Sequence, residues 1–169
     1  MANKNTFNPD LFGYNHEGNM PVFGLENRRY LGCKSKLAEW ILSIINNEAP
    51  GAHSFIDIFA GTGAVGRKAL EYYPEVIFND FLYSNYVSYN AFFADGEWNK
   101  ERVQDFIREM NDVDESLLDD NYCSHYFGNK YFGMAAAKKI GYIREEIERR
   151  KSEFSQKEYF ILITSLIYS

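Results

Sequence analysis

An α/β fold, a parallel sheet with crossover helices that continues into a helical C-terminal segment, is the class this sequence predicts. Three observations carry it. The short apolar run Ser54-Phe-Ile-Asp-Ile-Phe59 opens directly into glycines at Gly61, Gly63 and Gly66. A helical pattern over 67–73, closed by Pro74, is followed by a second apolar run over 75–79 that delivers Asp80 at its end. Beyond Gly96 only helical periodicities occur. Strand, glycine turn, helix, strand, acid and helix is the order in which crossover helices join parallel strands.

Each element has a local reason. Residues 1–27 are rich in Asn, Gly and Pro and keep no period, so they read as an irregular arm with Phe7, Leu11, Phe12 and Phe23 as docking points. Over 35–47, Leu37, Ile41, Ile44 and Ile45 fall on one helical stripe, and Asn46, Asn47, Pro50 and Gly51 supply the stop. The run 54–59 is short, apolar and partly β-branched, which suits a buried strand. Helical character resumes over 82–93. After the cap residue Asn99, Val103, Phe106, Ile107 and Met110 mark an amphipathic helix, and the acidic stretch 111–120 reads as a solvated loop. Ala136, Ile140, Ile143 and Ile147 form another apolar stripe, with Lys138, Lys139, Arg144, Glu145 and Glu146 elsewhere on the helix surface. The last helix has complete opening signals: Ser155 caps, Glu158 occupies the reciprocal capping-box position, and Phe154 faces Tyr159 as a staple. No stop signal follows the apolar run 161–168. The organisation expected is an arm over 1–27, an α/β core over 28–96 and a helical segment over 97–169.

Composition narrows the function classes. A chain of 169 residues, 46% of them hydrophobic, has the material for one real core. Its net charge of −6 makes the chain as a whole a poor match for a phosphate backbone. Cys33 and Cys123 have no metal spacing and no disulfide framework around them. The polar opening run is no signal-peptide core, and no stretch of about 18 apolar residues is present, so a cytoplasmic protein without a membrane span is expected. His16, His53 and His125 are scattered, and neither they nor the acidic run 112–120 have the spacing of metal ligands.

The chemistry concentrates in Phe59-Ala-Gly-Thr-Gly-Ala-Val-Gly66. Glycines after a strand let the chain turn sharply and let a ligand touch backbone, while the following helix start presents free N–H groups. The spacing fits a dinucleotide fingerprint, a weak signal by itself. Asp57, at the mouth of the turn, sharpens it. A carboxylate there repels a pyrophosphate and attracts the ammonium or sulfonium of a cationic cofactor, which favours S-adenosylmethionine over NAD. Asp80, at the end of the second run, can accept both hydroxyls of a ribose; its plainer role is a turn or helix-entry acid. Upstream, Arg28-Arg-Tyr-Leu-Gly-Cys-Lys-Ser-Lys36 offers Gly32 for close approach, Lys34 or Lys36 to pair with a carboxylate, and Tyr30 to stack or donate its hydroxyl.

At these residues the chain resembles the D12 class of DNA adenine-N6 methyltransferases, the Dam-like group that includes many restriction-modification methylases. Tyr30, Gly32 and Lys34 occupy the positions of the family's Tyr-x-Gly-x-Lys cofactor motif, a role Lys36 does not share. The run 55–66 is similar to the glycine-loop motif, and Asn79-Asp80 to its ribose-binding acid. The resemblance covers about residues 27–169, most specifically before Phe93. It implies an incomplete, Rossmann-like S-adenosylmethionine-dependent methyltransferase fold, with Tyr30, Gly32, Lys34, Asp57, Phe59, Ala60, Gly61, Thr62, Gly63 and Asp80 around the cofactor. It also implies direct in-line attack of adenine N6 on the cofactor methyl group. The family's catalytic Asp/Asn-Pro-Pro-Tyr/Phe tetrapeptide is missing, since Pro9, Pro21, Pro50 and Pro74 are the prolines and none is paired. No catalytic residue is therefore assigned. The expectation is a cofactor-binding part that is inactive in isolation. Double-stranded DNA would be met through regions outside this chain, which is then an N-terminal fragment, the product of a truncated gene, or one component needing a complementing C-terminal polypeptide. A methyltransferase acting on RNA or a small molecule, and a non-catalytic cofactor-binding subunit, are the alternatives.

Overall fold

Register between two short strands sets the architecture. The computed structural model describes residues 34–169; the arm 1–27, Tyr30, Gly32 and Cys33 lie outside the described residues. Strand β1 (Ser54–Asp57) pairs in parallel with β2 (Glu75–Phe78), matching Phe55 to Val76 and Ile56 to Ile77. Helix α1 (Ala38–Glu48) precedes β1, α2 (Ala64–Ala69) crosses between the strands, and α3 (Tyr83–Phe92) follows β2. Because side chains alternate along a strand, one face of the sheet carries Phe55 and Val76. These pack with Leu42, Ala69 and Tyr73, beside Ile45 and Val65, to make the core of this unit.

The opposite face corrects the expectation of a buried strand. Ile56 and Ile77, paired across the sheet, are 56% and 44% exposed, and Ile58 beside them is exposed too. The run is continuously apolar, as in a strand covered on both sides, but among the described residues only one side is covered. The stripe of α1 shifts as well. Ala38, Ile41, Leu42 and Ile45 turn inward, whereas Leu37 and Ile44 are exposed, because helix packing selects the row that meets α2. Helix α2 starts at Ala64, three residues before the expected span, since the chain enters it straight from the left-handed Gly63.

The chain divides into two compact units, one ending at Asp95 and one over Gly96–Ile167. The second unit is helical: α4 (Lys100–Asn111), α5 (Tyr122–Phe127), α6 (Met134–Arg149) and α7 (Gln156–Tyr168). Asn99 caps α4 through the Arg102 amide, and Val103, Phe106 and Met110 are its buried row. Short-range patterns had not separated α5; its signal is the pair Asn121 and Ser124, which form a capping box. The Asn121 amide also reaches the Lys138 carbonyl at 2.8 Å, in a space that a side chain on Gly141 would occupy. On α6 the buried residues are Ala137, Gly141 and Ile147; of the expected stripe Ile147 is buried, Ile140 and Ile143 are partly buried, and Ala136 is exposed. Nor do Lys138 and Lys139 simply project into solvent. They tie down the acidic loop, donating to the carbonyls of Leu118 and of Asn111 and Val113.

At α7 the expected capping box forms, with the Ser155 hydroxyl on the Glu158 amide and the Glu158 carboxylate on the Ser155 amide at 2.7 Å. The ring of Phe154 meets Phe106 edge-on, and the Arg150 guanidinium lies over both rings. Among the described residues no helix is long and apolar enough to cross a membrane.

Candidate functional site

The glycine turn is shaped by backbone conformation first and side chains second. Gly61 and Gly63 have φ of +57° and +79°, the left-handed region that L side chains rarely enter. Gly66 is required for another reason: a Cβ there would collide with the ring of Phe78. The first turn of α2 thereby packs close on the Phe78 ring of β2. Strand pairing extends to its rim, with the Asn79 amide donating to Asp57 O and the Ala60 amide to Asn79 O, both at 2.9 Å.

A cavity of about 630 Å³ opens over this turn, lined among others by Lys34, Ile41, Asp57, Phe59, Gly61, Thr62, Val65 and Asp80. That volume lies in the range of roughly 300–1,000 Å³ typical of small-molecule sites. Of the residues expected from the sequence, Lys34, Asp57, Phe59, Ala60, Gly61, Thr62 and Asp80 meet at this one cavity. Gly63 is not among its lining residues: it is buried behind the turn, where a Cβ would stand 3.2 Å from the ring of Tyr89. Ile41 and Val65 complete the wall. They were passed over because their role depends on α1 and α2 folding over the sheet.

Two carboxylates give the cavity its electrostatics. Asp57 is half-buried at the end of β1. Burial pushes its carboxyl above the ordinary aspartate range, against the pull of the Gly66 amide, the Lys34 charge and the Phe59 amide, while the negative charge of Asp80 adds to the rise. A partly desolvated anion facing a cavity is a ready partner for a cation. Asp80 is held from three sides: its Oδ2 accepts the Gly61 amide at 2.8 Å, and its Oδ1 accepts the Leu82 amide at 2.9 Å and the Asn85 side-chain amide at 2.8 Å. The Leu82 contact meets the plain reading of Asp80 as a turn acid before α3, and the Gly61 contact ties the same carboxylate to the glycine turn. The carboxylate is thereby held in one orientation by the chain itself. Phe59, which lines the cavity, and Phe81, next to Asp80, are 83% and 98% exposed.

Sequence reasoning missed the layer behind the turn. Asn85 and Tyr89, both on α3, are buried, and Tyr89 donates its hydroxyl to the Gly61 carbonyl at 2.5 Å. Their spacing of four residues on a helix was the available signal. Among the described residues, no group of three or more His, Cys, Asp or Glu is placed to hold a metal ion.

Comparison with known proteins places this geometry. The family model for the D12 class of N6 adenine-specific DNA methyltransferase matches residues 30–168. The chain is 33% identical over 149 residues to the Type II methyltransferase M.CviAII of Paramecium bursaria Chlorella virus 1, covering 83% of this chain and 44% of that protein. To the Type II methyltransferase M.NlaIII of Neisseria lactamica it is 30% identical over 146 residues, covering 82% of this chain and 43% of the relative. To the Type II methyltransferase M.FokI of Planomicrobium okeanokoites it is 30% identical over 155 residues, 82% of this chain and 24% of the relative. The chain therefore spans less than half the length of these relatives. No solved structure matches it.

Proposed function

The chain belongs to the D12 class of N6 adenine-specific DNA methyltransferases, and from that premise we propose that it is the cofactor-holding part of a site-specific DNA adenine-N6 methyltransferase. Membership makes S-adenosylmethionine the expected cofactor. The observation that carries the reading is the arrangement of charge around one cavity: Lys34, Asp57 and Asp80 beside a glycine turn with left-handed backbone. A methionine moiety offers a carboxylate that suits Lys34, and its ammonium and the neighbouring sulfonium suit Asp57. A ribose offers two hydroxyls that suit Asp80, and the backbone of Ala60, Gly61 and Thr62 permits close approach. A pyrophosphate, by contrast, would meet two carboxylates. Tyr30 and Gly32 join this proposal through the sequence motif.

When bound, the cofactor supplies an electrophilic methyl group; this chain's residues hold and orient the donor. Positioning of the adenine amine is proposed to rest on a polypeptide carrying the paired-proline tetrapeptide, and contact with double-stranded DNA on parts outside these residues. The exposed apolar sheet face with Ile56 and Ile77 supports that division, since a parallel sheet is ordinarily covered on both faces. Titration calorimetry with S-adenosylmethionine and NAD in parallel tests the cofactor assignment. Saturable heat with S-adenosylmethionine and none with NAD is the expected result; the reverse pattern from a folded chain overturns it.

A further inference from the structure

The glycine turn is the part of the site most in need of restraint. Glycines have the largest conformational freedom to lose, so an unsupported turn would be ordered at the expense of ligand affinity. Here the peptide groups of Gly61 are gripped at both ends. Its N–H is held by Asp80 Oδ2 at 2.8 Å, and its carbonyl accepts the Tyr89 hydroxyl at 2.5 Å. Asp80 is in turn fixed by the Asn85 side chain. Asn85 and Tyr89 are one helical turn apart on the same face of α3, with 1% and 7% of their surfaces exposed. The Tyr89 ring continues the support, standing against the space above Gly63 and 5.2 Å from the ring of Phe78, which fills the hollow left by Gly66.

We propose that Tyr89 is a positioning residue of the cofactor site, acting through the Gly61 carbonyl, with Asn85 doing the same through Asp80. Neither residue lines the cavity. Their effect is to keep the turn in its binding conformation before the ligand arrives, so the ordering cost is met during folding. The inference rests on the cofactor reading above for its ligand, but the restraint itself can be measured without one.

Tyr89→Phe removes the hydroxyl and keeps the ring that packs on Gly63 and Phe78. Two measurements on the full 169-residue chain decide the matter. Amide hydrogen exchange without ligand is expected to speed up at Gly61, Thr62 and Gly63 while the rest of the unit and the melting temperature stay as in the parent. Calorimetry with S-adenosylmethionine is expected to show affinity about tenfold weaker, the worth of one well-made hydrogen bond to a buried group. Exchange at the turn that does not change, or parent-like affinity in a chain that binds, overturns the proposal. So does a general rise in exchange with a lower melting temperature, which would make the hydroxyl a support of the whole fold. Asn85→Ala supplies the second variant, with the same local signature expected at Asp80, Phe81 and Leu82. A parent chain that binds no S-adenosylmethionine would sink the cofactor reading, and the exchange arm would still judge the restraint.

Discussion

The two units spend their polar and apolar residues in opposite ways. In the first, apolar side chains remain in the open, on the sheet face at Ile56 and Ile77 and at Phe59 and Phe81, while backbone amides and two carboxylates build the cavity. In the helical unit Val103, Phe106 and Met110 of α4 and Phe160, Ile161 and Leu162 of α7 are covered, although Leu117, Tyr122 and Tyr131 stay exposed, and polar groups serve as fasteners: Asn99, Asn121 and Ser155 cap helices, and Glu158 is buried as a hub. The contrast is between polar groups that shape a cavity in the first unit and polar groups that close helix entries in the second. Substitutions at the polar groups of the first unit should then move affinity, and those of the second should move stability.

Among these polar groups the largest effect is expected at Glu158, which is 1% exposed. Its carboxylate accepts the Ser155 amide at 2.7 Å and the Asn99 amide at 2.8 Å and pairs with Arg102 at 3.2 Å. Burial by itself raises its pKa, but those two amides and the Arg102 charge outweigh burial and leave it lowered. Glu158→Ala strands two helix-entry donors, and a loss of about 3 kcal/mol in the unfolding free energy is expected from urea titration. The sign with pH follows from the lowered value. The contribution is full above the ordinary glutamate range and is lost as pH falls through the folded-state pKa. Affinity for S-adenosylmethionine per folded molecule should not move; a concurrent loss of affinity would break the contrast.

How legible each unit was follows from the same difference. Helix entries are decided within four residues, so Asn99 and the Ser155–Glu158 box could be read directly. The glycine turn was legible because left-handed backbone needs Gly61 and Gly63, and Asp80 because it closely follows an apolar strand run. What escaped depends on neighbours remote in sequence. Which row of α1 or α6 faces inward is chosen by the helix it meets, and Gly141 matters only because Asn121 comes to lie against it. In the sequence Tyr89 is one of several aromatics in the helical run 82–93, and only the fold brings its hydroxyl onto the Gly61 carbonyl. The exposed face of β1 was misjudged since an apolar strand sequence records the cover a strand is suited to, and the cover itself is not in the strand.

A smaller effect, of opposite sign for binding and for folding, is expected at Asp57. Its folded-state pKa is raised, chiefly by burial, so ionising it costs stability as pH rises through that value. Asp57→Asn should therefore hold or raise the denaturation midpoint of the unliganded chain near neutral pH. The same change removes the anion that suits a sulfonium and an ammonium, and S-adenosylmethionine should bind about tenfold to thirtyfold more weakly, about 1.4–2 kcal/mol. In the parent, affinity should fall as pH drops through the Asp57 pKa, beginning at a higher pH than an ordinary aspartate would give. Calorimetry across pH reads both; a midpoint that falls together with affinity would show that Asp57 serves the fold as well as the site.

The smallest effect on folding is expected at Phe81, one of two phenylalanines that state the contrast in one residue type. Phe106 on α4 is 2% exposed and Phe81 after β2 is 98% exposed. Truncation of a buried phenylalanine costs about 3–5 kcal/mol, most of it lost burial and the cavity left behind. Phe81 has almost no burial to lose, so Phe81→Ser should change the unfolding free energy by less than about 0.5 kcal/mol. Urea denaturation of the unliganded chain measures it. A loss above about 1 kcal/mol would mean that Phe81 is packed in solution, and the open apolar surface of the first unit would then have to be redrawn as a covered one.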